Sequence, residues 1–267
     1  TRVSVPLAAF GNGALGTMLD FSDERESGRS SAWPGALAVP AALAAGEPRA
    51  ISGKELIASV VTGYEVCARI IQSMDMTFEK FEKISGETTS VFASATAAGR
   101  ALALDEDGML SNLSMAGIYT PVLGGRKWIG DEGLRPMKEI KQGWAWMCMI
   151  GAFTAVSAQA GLRASQENNI LDGDKGLWRM LGYDSFREDV LTEGLGEKYY
   201  ILDFSTKLYS GCLTTHPAIK IVEDLVSEHG IDPSTIEKIE VAMNKSETQG
   251  FDHQEPQGVA DMQFNIP

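Results

Sequence analysis

Four side chains with distinct chemistry lie within ten residues in the last third of the chain: Lys207, Tyr209, Cys212 and His216. They supply an ammonium, a phenol, a thiol and an imidazole, which between them can bind an anion and move a proton near neutral pH. His216 precedes Pro217 at the start of a predicted helix, so a capping or packing role explains it equally well. This segment is the first candidate for an active site.

Two carboxylates and two ammonium groups form further candidate pairs. Asp20 and Asp23 lie three residues apart beside apolar neighbours and can hold a catalytic base or a substrate hydroxyl. A solvated helix terminus is the interpretation that their local sequence favours. Lys138 and Lys141 can share one face at the N-terminus of a long predicted helix, where ammonium groups and unpaired amides together bind a carboxylate. Two solvated lysines explain the same spacing equally well.

The glycines at positions 11, 13 and 16 match the spacing of a dinucleotide-binding fingerprint. That motif requires a strand that leads into the glycine turn and a βαβ unit around it. Here Pro6 interrupts the candidate strand, and no βαβ pattern follows. We therefore interpret these glycines as sites of close helix packing.

The composition restricts the class of protein. The 267 residues carry 23 Lys plus Arg against 36 Asp plus Glu, a formal net charge of −13, which disfavours binding to nucleic acid or to an anionic membrane surface. Three widely spaced cysteines favour a reducing, cytoplasmic compartment over a disulfide framework, and no zinc-like spacing occurs. The sequence contains no uninterrupted apolar run of about 20 residues that predicts a transmembrane helix.

Long helices are predicted to position the candidate residues in the first two-thirds of the chain. The capping box from Ser52 to Glu55 starts a helix that is apolar over a wide arc, as expected inside a bundle. Further helices are predicted at 89–104 and 143–162, followed by a connection at 163–197, β-prone residues at 199–209, an amphipathic helix at 218–229 and an alternating strand at 238–243. These elements predict a mainly α protein with a smaller α/β part.

An ordered series of segments resembles the MmgE/PrpD family, whose members include 2-methylcitrate dehydratase, cis-aconitate decarboxylase and iminodisuccinate epimerase. The first segment, from Asn12 to Asp23, is similar to the family's Asn-Gly run that leads into Leu-Asp-Phe-Asp-Asp. The other segments are 40–44, 52–56, 63–66, 89–92, 138–145, 207–219 and 263–267. Because the series covers nearly the whole chain in order, it is more specific than any single motif.

The resemblance implies a domain organisation and a type of site. It implies a large all-helical domain at residues 1–165, an α/β lid domain at 166–258 and a return to the helical domain at 259–267, with the active site between the domains. It also implies a homodimer formed through the helical domain, and chemistry that needs no metal or other cofactor. Family members carry helices before the position of Thr1 and a tyrosine just beyond that of Pro267, so we expect the chain to be an internal fragment.

Three residues match the family's functional groups. Asp20 resembles its active-site aspartate, Lys138 its first lysine and Lys207 its second. From these matches and the clusters above we predict two sets of site residues. The predicted catalytic residues are Lys207, Asp20, Glu87, Cys212 and His216, and the predicted substrate-binding residues are Lys138, Lys141, Thr89 and Tyr209.

Several histidine positions of the family hold other residues here. Trp33, which cannot transfer a proton, stands at one, Glu87 at another and Lys141 at a third; Cys212 occupies a position that is histidine in the decarboxylase and cysteine in other members. The resemblance therefore predicts a cofactor-independent lyase (dehydratase or decarboxylase) or isomerase that abstracts a proton next to a carboxylate of a small di- or tricarboxylic acid. The alternative is a catalytically inactive family member that binds a small organic acid.

Overall fold

The computed structural model describes residues 3–27, 30–77, 80, 86–120, 143–165 and 170–243. The helices in these ranges are α1 (Val5–Thr17), α2 (Gly35–Gly46), α3 (Gly53–Ser73), α4 (Val91–Ala101), α5 (Glu106–Tyr119), α6 (Trp144–Gln159), α7 (Leu177–Met180), α8 (Asp189–Thr192) and α9 (His216–His229). The strands are β1 (Asp23–Ser27), β2 (Ser30–Ala32), β3 (Met74–Asp75), β4 (Ser185–Phe186) and β5 (Ser205–Thr206). Helices dominate, which confirms the predicted mainly α fold with a smaller part that contains strands.

Helix α4 lies at the centre of the bundle, because its small side chains allow several helices to approach it. Every residue from 91 to 99 is buried. Helices α2, α3, α5 and α6 all pack against it, and Phe92 and Trp144 fill much of the remaining space. A short 3-10 turn, Gly86–Ser90, leads into α4. The helix predicted at 89–104 therefore begins two residues later than predicted, at Val91, and it ends three residues earlier, at Ala101.

A neutral polar network crosses the same core. The side-chain amide of Asn112 donates to the carbonyl oxygen of Ala95 at 2.7 Å, and the hydroxyl of Thr154 donates to the Asn112 side-chain oxygen at 2.7 Å. The hydroxyl of Ser94 donates to the carbonyl oxygen of Met147, also at 2.7 Å. Because buried polar groups cost stability unless they are bonded, these contacts fix how α4, α5 and α6 pack together.

The three glycines that match the dinucleotide fingerprint, Gly11, Gly13 and Gly16, all lie within α1. This helix packs against α6 and α2, and no strand precedes it within residues 3–27. A Cβ added to Gly13 would lie 2.7 Å from the sulfur of Cys148 on α6, closer than real side chains approach. Close helix packing is therefore confirmed as the role of this glycine.

The segment after α6 packs against α3 along much of its length. Strand β4 pairs antiparallel with β3, with Phe186 opposite Met74. The buried guanidinium of Arg69 on α3 donates to the carbonyl oxygens of Glu193 at 2.7 Å and Lys198 at 3.2 Å. Through these contacts the predicted connection at 163–197 contributes to the core of the helical body.

Two predictions for the later residues have different outcomes. The capped amphipathic helix at 218–229 is confirmed as α9, which ends at the left-handed Gly230. The strand predicted at 238–243 is wrong, since these residues are mostly exposed and pair with no strand in the described ranges. An alternating pattern gives a strand only where a neighbouring strand supplies hydrogen bonds. Among the helices described, none is long and apolar enough to cross a membrane.

Candidate active site

The candidate site forms where strand β1 pairs with β5. The sheet order is β2-β1-β5, and both pairings are antiparallel. Asp23 lies opposite Thr206, and Glu24 lies opposite Ser205. Asp20 is separated from the start of β1 by two residues, and Lys207 directly follows β5. This short pairing therefore brings the two charged side chains together.

The ammonium of Lys207 is buried between two carboxylates. Its Nζ lies 2.8 Å from Asp20 Oδ1 and 3.9 Å from Glu24 Oε2. Lys207 is 5% exposed, Asp20 1% and Glu24 9%. Because removing charges from water costs several kcal/mol per ion, the Lys207 ammonium depends on these two carboxylates to remain charged in this position.

The backbone of Asp20 is itself unusual. Its φ of 51° lies in the left-handed region, which non-glycine residues adopt rarely and at some cost in energy. The interpretation of Asp20 as a solvated residue at a helix terminus is therefore wrong. The tight turn between α1 and β1 instead directs this carboxylate inward to Lys207.

Cys212 and His216 lie within electrostatic range of Lys207. Burial raises the pKa of the Cys212 thiol, and the charges of Lys207 and Asp20 act on it in opposite directions. Burial and then the Lys207 charge lower the pKa of His216, so its imidazole is neutral at pH 7. The Nε2 atom of His216 is buried and forms no hydrogen bond of ordinary geometry with the described residues, although the nearby backbone of Gly211 and Tyr209 opposes the shift in the pKa of the ring.

Tyr209 and Thr89 contact other side chains of the fold. The ring of Tyr209 packs edge-on against His216, with ring centroids 5.2 Å apart, and its hydroxyl donates to Glu223 at 2.5 Å. Thr89 is fully buried in the turn before α4. Burial raises the pKa of the nearby Tyr183 phenol, and Thr89 opposes this shift. Tyr209 thus supports the His216 ring, and Thr89 lies close to the segment after α6.

The remaining predicted residues fall into two groups. Lys138 and Lys141 lie outside the described residues, as does the side chain of Glu87. Trp33, which the resemblance aligns with a family histidine, packs against Trp144, with ring centroids 5.3 Å apart. Trp33 therefore contributes to the hydrophobic core.

Asp23 anchors β1 to the helical bundle. Its carboxylate accepts hydrogen bonds from the Tyr64 hydroxyl and, at 3.3 Å, from the backbone N–H of Gly35. A Cβ at Gly35 would overlap both the Tyr64 hydroxyl and the Asp23 carboxylate, so this close approach requires glycine. Burial raises the pKa of Asp23 to about 6, although both hydrogen bonds and the charge of Lys207 oppose the shift.

Glu24 is the residue of this cluster that sequence reasoning missed. Successive side chains of a strand point to opposite faces, which explains why Asp23 reaches Tyr64 while Glu24 reaches Lys207. The two acidic residues at 23–24 are visible in the sequence. However, only the pairing of β1 with β5 shows that Lys207 is the partner of Glu24. The contact of Asp23 with Tyr64 on α3 is likewise not predicted from the sequence.

An open cavity of about 480 Å³ adjoins the Asp23 side of this segment. Its lining combines polar groups of Asn12, Ser22 and Asp23 with the apolar side chains of Phe21 and other residues. The lining residues, all of them described, include neither Asp20 nor Lys207. Within the described part of the chain, no group of three or more His, Cys, Asp or Glu side chains could hold a metal ion.

A protein-family model, the MmgE/PrpD N-terminal domain, matches residues 1–188. The match includes Asp20, Asp23 and Glu24, whereas Lys207, Cys212 and His216 lie beyond it. No curated protein matches the chain. Because the family match extends over more than half of the sequence, the chain belongs to the MmgE/PrpD family, a family of dehydratase- and isomerase-like proteins.

Proposed function

We propose that the protein is a cofactor-independent lyase or isomerase that abstracts a proton next to a carboxylate of a small di- or tricarboxylic acid. The observation that carries this proposal is the buried Lys207 ammonium, 2.8 Å from Asp20 and 3.9 Å from Glu24. Membership of a dehydratase- and isomerase-like family supports the same general class. Elimination and epimerisation share the abstraction step, and both fall within the proposal.

The described residues suit separate roles in such a reaction. Removal of a carbon-bound proton needs a base, and the negative charge that develops on the substrate needs a nearby cation or proton donor. The neutral His216 imidazole suits the base, since its Nε2 forms no hydrogen bond of ordinary geometry with the residues described. Lys207 would stabilise the developing charge, and Asp20 would orient its ammonium.

The other predicted site residues complete this proposal. We propose Glu87 and Cys212 as further proton-transfer groups. Lys138 and Lys141 are proposed to bind the substrate carboxylates, because ammonium groups at a helix N-terminus attract anions. Thr89 and Tyr209 would position the site through their contacts with Tyr183 and His216.

We also propose the domain arrangement and assembly that the family resemblance implies. The resemblance implies a helical domain at residues 1–165, a lid domain at 166–258 and a return segment at 259–267. Because the segment from Leu177 to Lys198 packs on the helical core, the lid would begin after this segment. A homodimer through the helical domain is supported by exposed apolar side chains on three helices that pack together, α1, α2 and α6: Leu7, Leu15, Val39, Leu43, Trp146 and Phe153. Free thiols at Cys67, Cys148 and Cys212 support a reducing, cytoplasmic setting.

A second candidate function is binding of a small organic acid without turnover. The observation that favours it is the packing against Trp144 of Trp33, which the resemblance aligns with a family histidine. An indole cannot transfer a proton, so one group used by family members is missing at this point. The two candidates differ in whether any bond to the substrate carbon is broken.

Proton NMR in D₂O tests the proposal directly. The protein would be incubated with citrate, 2-methylcitrate, cis-aconitate and tartrate. We expect protein-dependent deuterium uptake next to a carboxylate or a new alkene signal. The Lys207→Met variant should lose this activity, whereas Lys220→Met, which removes an exposed ammonium, should retain it.

The same panel separates the alternatives. Thermal stabilisation by one of the acids without exchange or product would favour the binding protein. Neither stabilisation nor exchange across the panel, from folded protein, would contradict both candidates for these acids. Full activity of Lys207→Met would contradict the assignment of Lys207.

A further inference from the structure

A second cleft, of about 420 Å³, lies between the N-terminus of α3 and the C-terminus of α4. Three cationic side chains line it: Arg49, Lys54 and Arg100. Lys54 and Arg100 form no ion pair with any described residue. None of the lining residues belongs to the Lys207 cluster. In a chain of net charge −13, such a concentration of positive charge needs a separate explanation.

The single carboxylate in the lining of this cleft is already engaged. Glu55 accepts hydrogen bonds from the backbone N–H of Ser52 at 2.8 Å and from its hydroxyl at 2.9 Å. These bonds lower the pKa of Glu55 and hold the carboxylate at the start of α3. Three cations therefore face one carboxylate, and the cleft carries a net positive charge.

The helix ends at the cleft do not cancel this charge. The N-terminus of α3 carries partial positive charge, and the C-terminus of α4 carries partial negative charge. One N–H of Arg49 donates to the carbonyl oxygen of Ala101 at 2.5 Å, which satisfies that end of α4. A guanidinium has five N–H groups, so this bond leaves Arg49 able to bind a ligand as well.

The rest of the lining is largely apolar and includes Ile51, Leu104 and Met109. Ala103, which also lines the cleft, and Ala50 beside it have φ values of 55° and 50°. Among the described residues, the other non-glycine residue with positive φ is Asp20 in the candidate active site. Left-handed backbone at non-glycine residues is costly and concentrates at functional sites.

We propose that this cleft is a second ligand site, which binds a small amphipathic anion with a carboxylate or phosphate head group on a short apolar body. Arg49, Lys54 and Arg100 bind the head group, and the apolar body packs against Leu104 and Met109. The cavity volume lies within the range of small-molecule sites, about 300–1,000 Å³. The proposal does not depend on the reaction assigned to the Lys207 site.

Isothermal titration calorimetry with butyl phosphate, butyrate and inorganic phosphate tests this proposal. The natural protein would be compared with a cleft variant, Lys54→Gln/Arg100→Gln, and with a control variant, Lys220→Gln/Lys238→Gln. Each variant removes two exposed positive charges, but the control charges lie outside the cleft. Low ionic strength is used because salt screens exposed charges.

We expect saturable binding of butyl phosphate or butyrate at one site per chain. The cleft variant should bind about tenfold more weakly or worse, since it loses two charge-assisted contacts, and the control should match the natural protein. The tighter of the two organic ligands identifies the head group. Absence of saturable binding, equal weakening in both variants, or inorganic phosphate binding as tightly as butyl phosphate would overturn the proposed ligand class.

Discussion

Two buried polar clusters of this protein differ in what they join and in what they contribute. The Asn112–Thr154 cluster is neutral and links neighbouring helices of the bundle through hydrogen bonds of 2.7 Å. The Asp20–Lys207–Glu24 cluster is charged and links residues 187 positions apart. A neutral bonded network specifies packing at little cost, whereas buried ion pairs stabilise less than apolar packing of similar volume. Under the proposed function, the first cluster serves the fold and the second serves the chemistry.

Replacement of Lys207 by Met should have the largest effect, because it removes the cation of the charged cluster and leaves the neutral cluster intact. Exchange activity should fall by about 10²–10⁴-fold, the usual contribution of a proton-transfer or charge-stabilising group. The unfolding free energy should fall by about 3–5 kcal/mol at neutral pH, because Asp20 and Glu24 lose the cation between them. The NMR assay and urea denaturation measure the two effects. Normal activity combined with lower stability would assign Lys207 to the fold and remove the contrast.

Replacement of Gly35 by Ala should disturb the segment that carries Asp20 and Glu24. The added Cβ overlaps the Tyr64 hydroxyl and the Asp23 carboxylate, and relief of such overpacking costs about 2–3 kcal/mol. Gly53→Ala is the matched control, because Gly53 is also the first residue of a helix but has open space around it. Urea denaturation should show a loss in Gly35→Ala and no loss in the control. Equal stability of both variants would contradict the anchoring role of Asp23.

Replacement of Thr154 by Val tests the neutral cluster. It leaves the buried Asn112 side-chain oxygen without the hydroxyl that donates to it, which costs about 1–3 kcal/mol. The matched control is Thr62→Val, whose hydroxyl bonds only to a carbonyl of its own helix in the described structure; its effect should stay within about 0.5 kcal/mol. Exchange activity should remain normal in both. A loss of activity in folded Thr154→Val would show that the two clusters are coupled.

The pH dependence of stability gives the smallest expected effect. The pKa of Asp23 is about 6 in the folded protein, above its ordinary value of 3.8. Between these values the folded state binds more protons than the unfolded chain, so the unfolding free energy falls as pH rises through this window. For this partly exposed carboxyl the fall should be about 1–2 kcal/mol.

Urea denaturation at several pH values from 4 to 7 measures this contribution. The Asp23→Asn variant should lose the part of the slope that Asp23 causes, while Asp75→Asn, an exposed carboxyl on β3, should keep it. The same slope in the Asp23 variant as in the natural protein would assign the pH dependence to other groups.

Local signals in the sequence predicted much of the helical fold. The Ser52–Glu55 capping box fixes the start of α3 within four residues, and both of its reciprocal hydrogen bonds form. The amphipathic pattern before Gly230 likewise predicted α9. These signals succeed because a helix satisfies its own backbone and its ends are set by nearby side chains.

The candidate site could be predicted only in part. The family resemblance selected Asp20 and Lys207, and the Nζ atom of Lys207 lies 2.8 Å from Oδ1 of Asp20. The contact of Glu24 with Lys207 depends on pairing between β1 and β5, and no local pattern encodes that pairing. The alternation at 238–243 failed for the same reason, because strands depend on distant partners. Long-range pairing therefore limits what these residues alone can predict.

The pairing of β1 with β5 has a consequence for the order in which parts of the protein fold during synthesis. This pairing consists of two residue pairs, which close a loop of more than 180 residues. Most contacts between helices close much shorter loops. Loop closure opposes such distant contacts until packing has already brought their ends together. During synthesis Asp20 leaves the ribosome long before Lys207, so the helices of the intervening chain can form first. The charged cluster is then completed late, and partly synthesised chains have the helical scaffold without the Lys207–Asp20 ion pair.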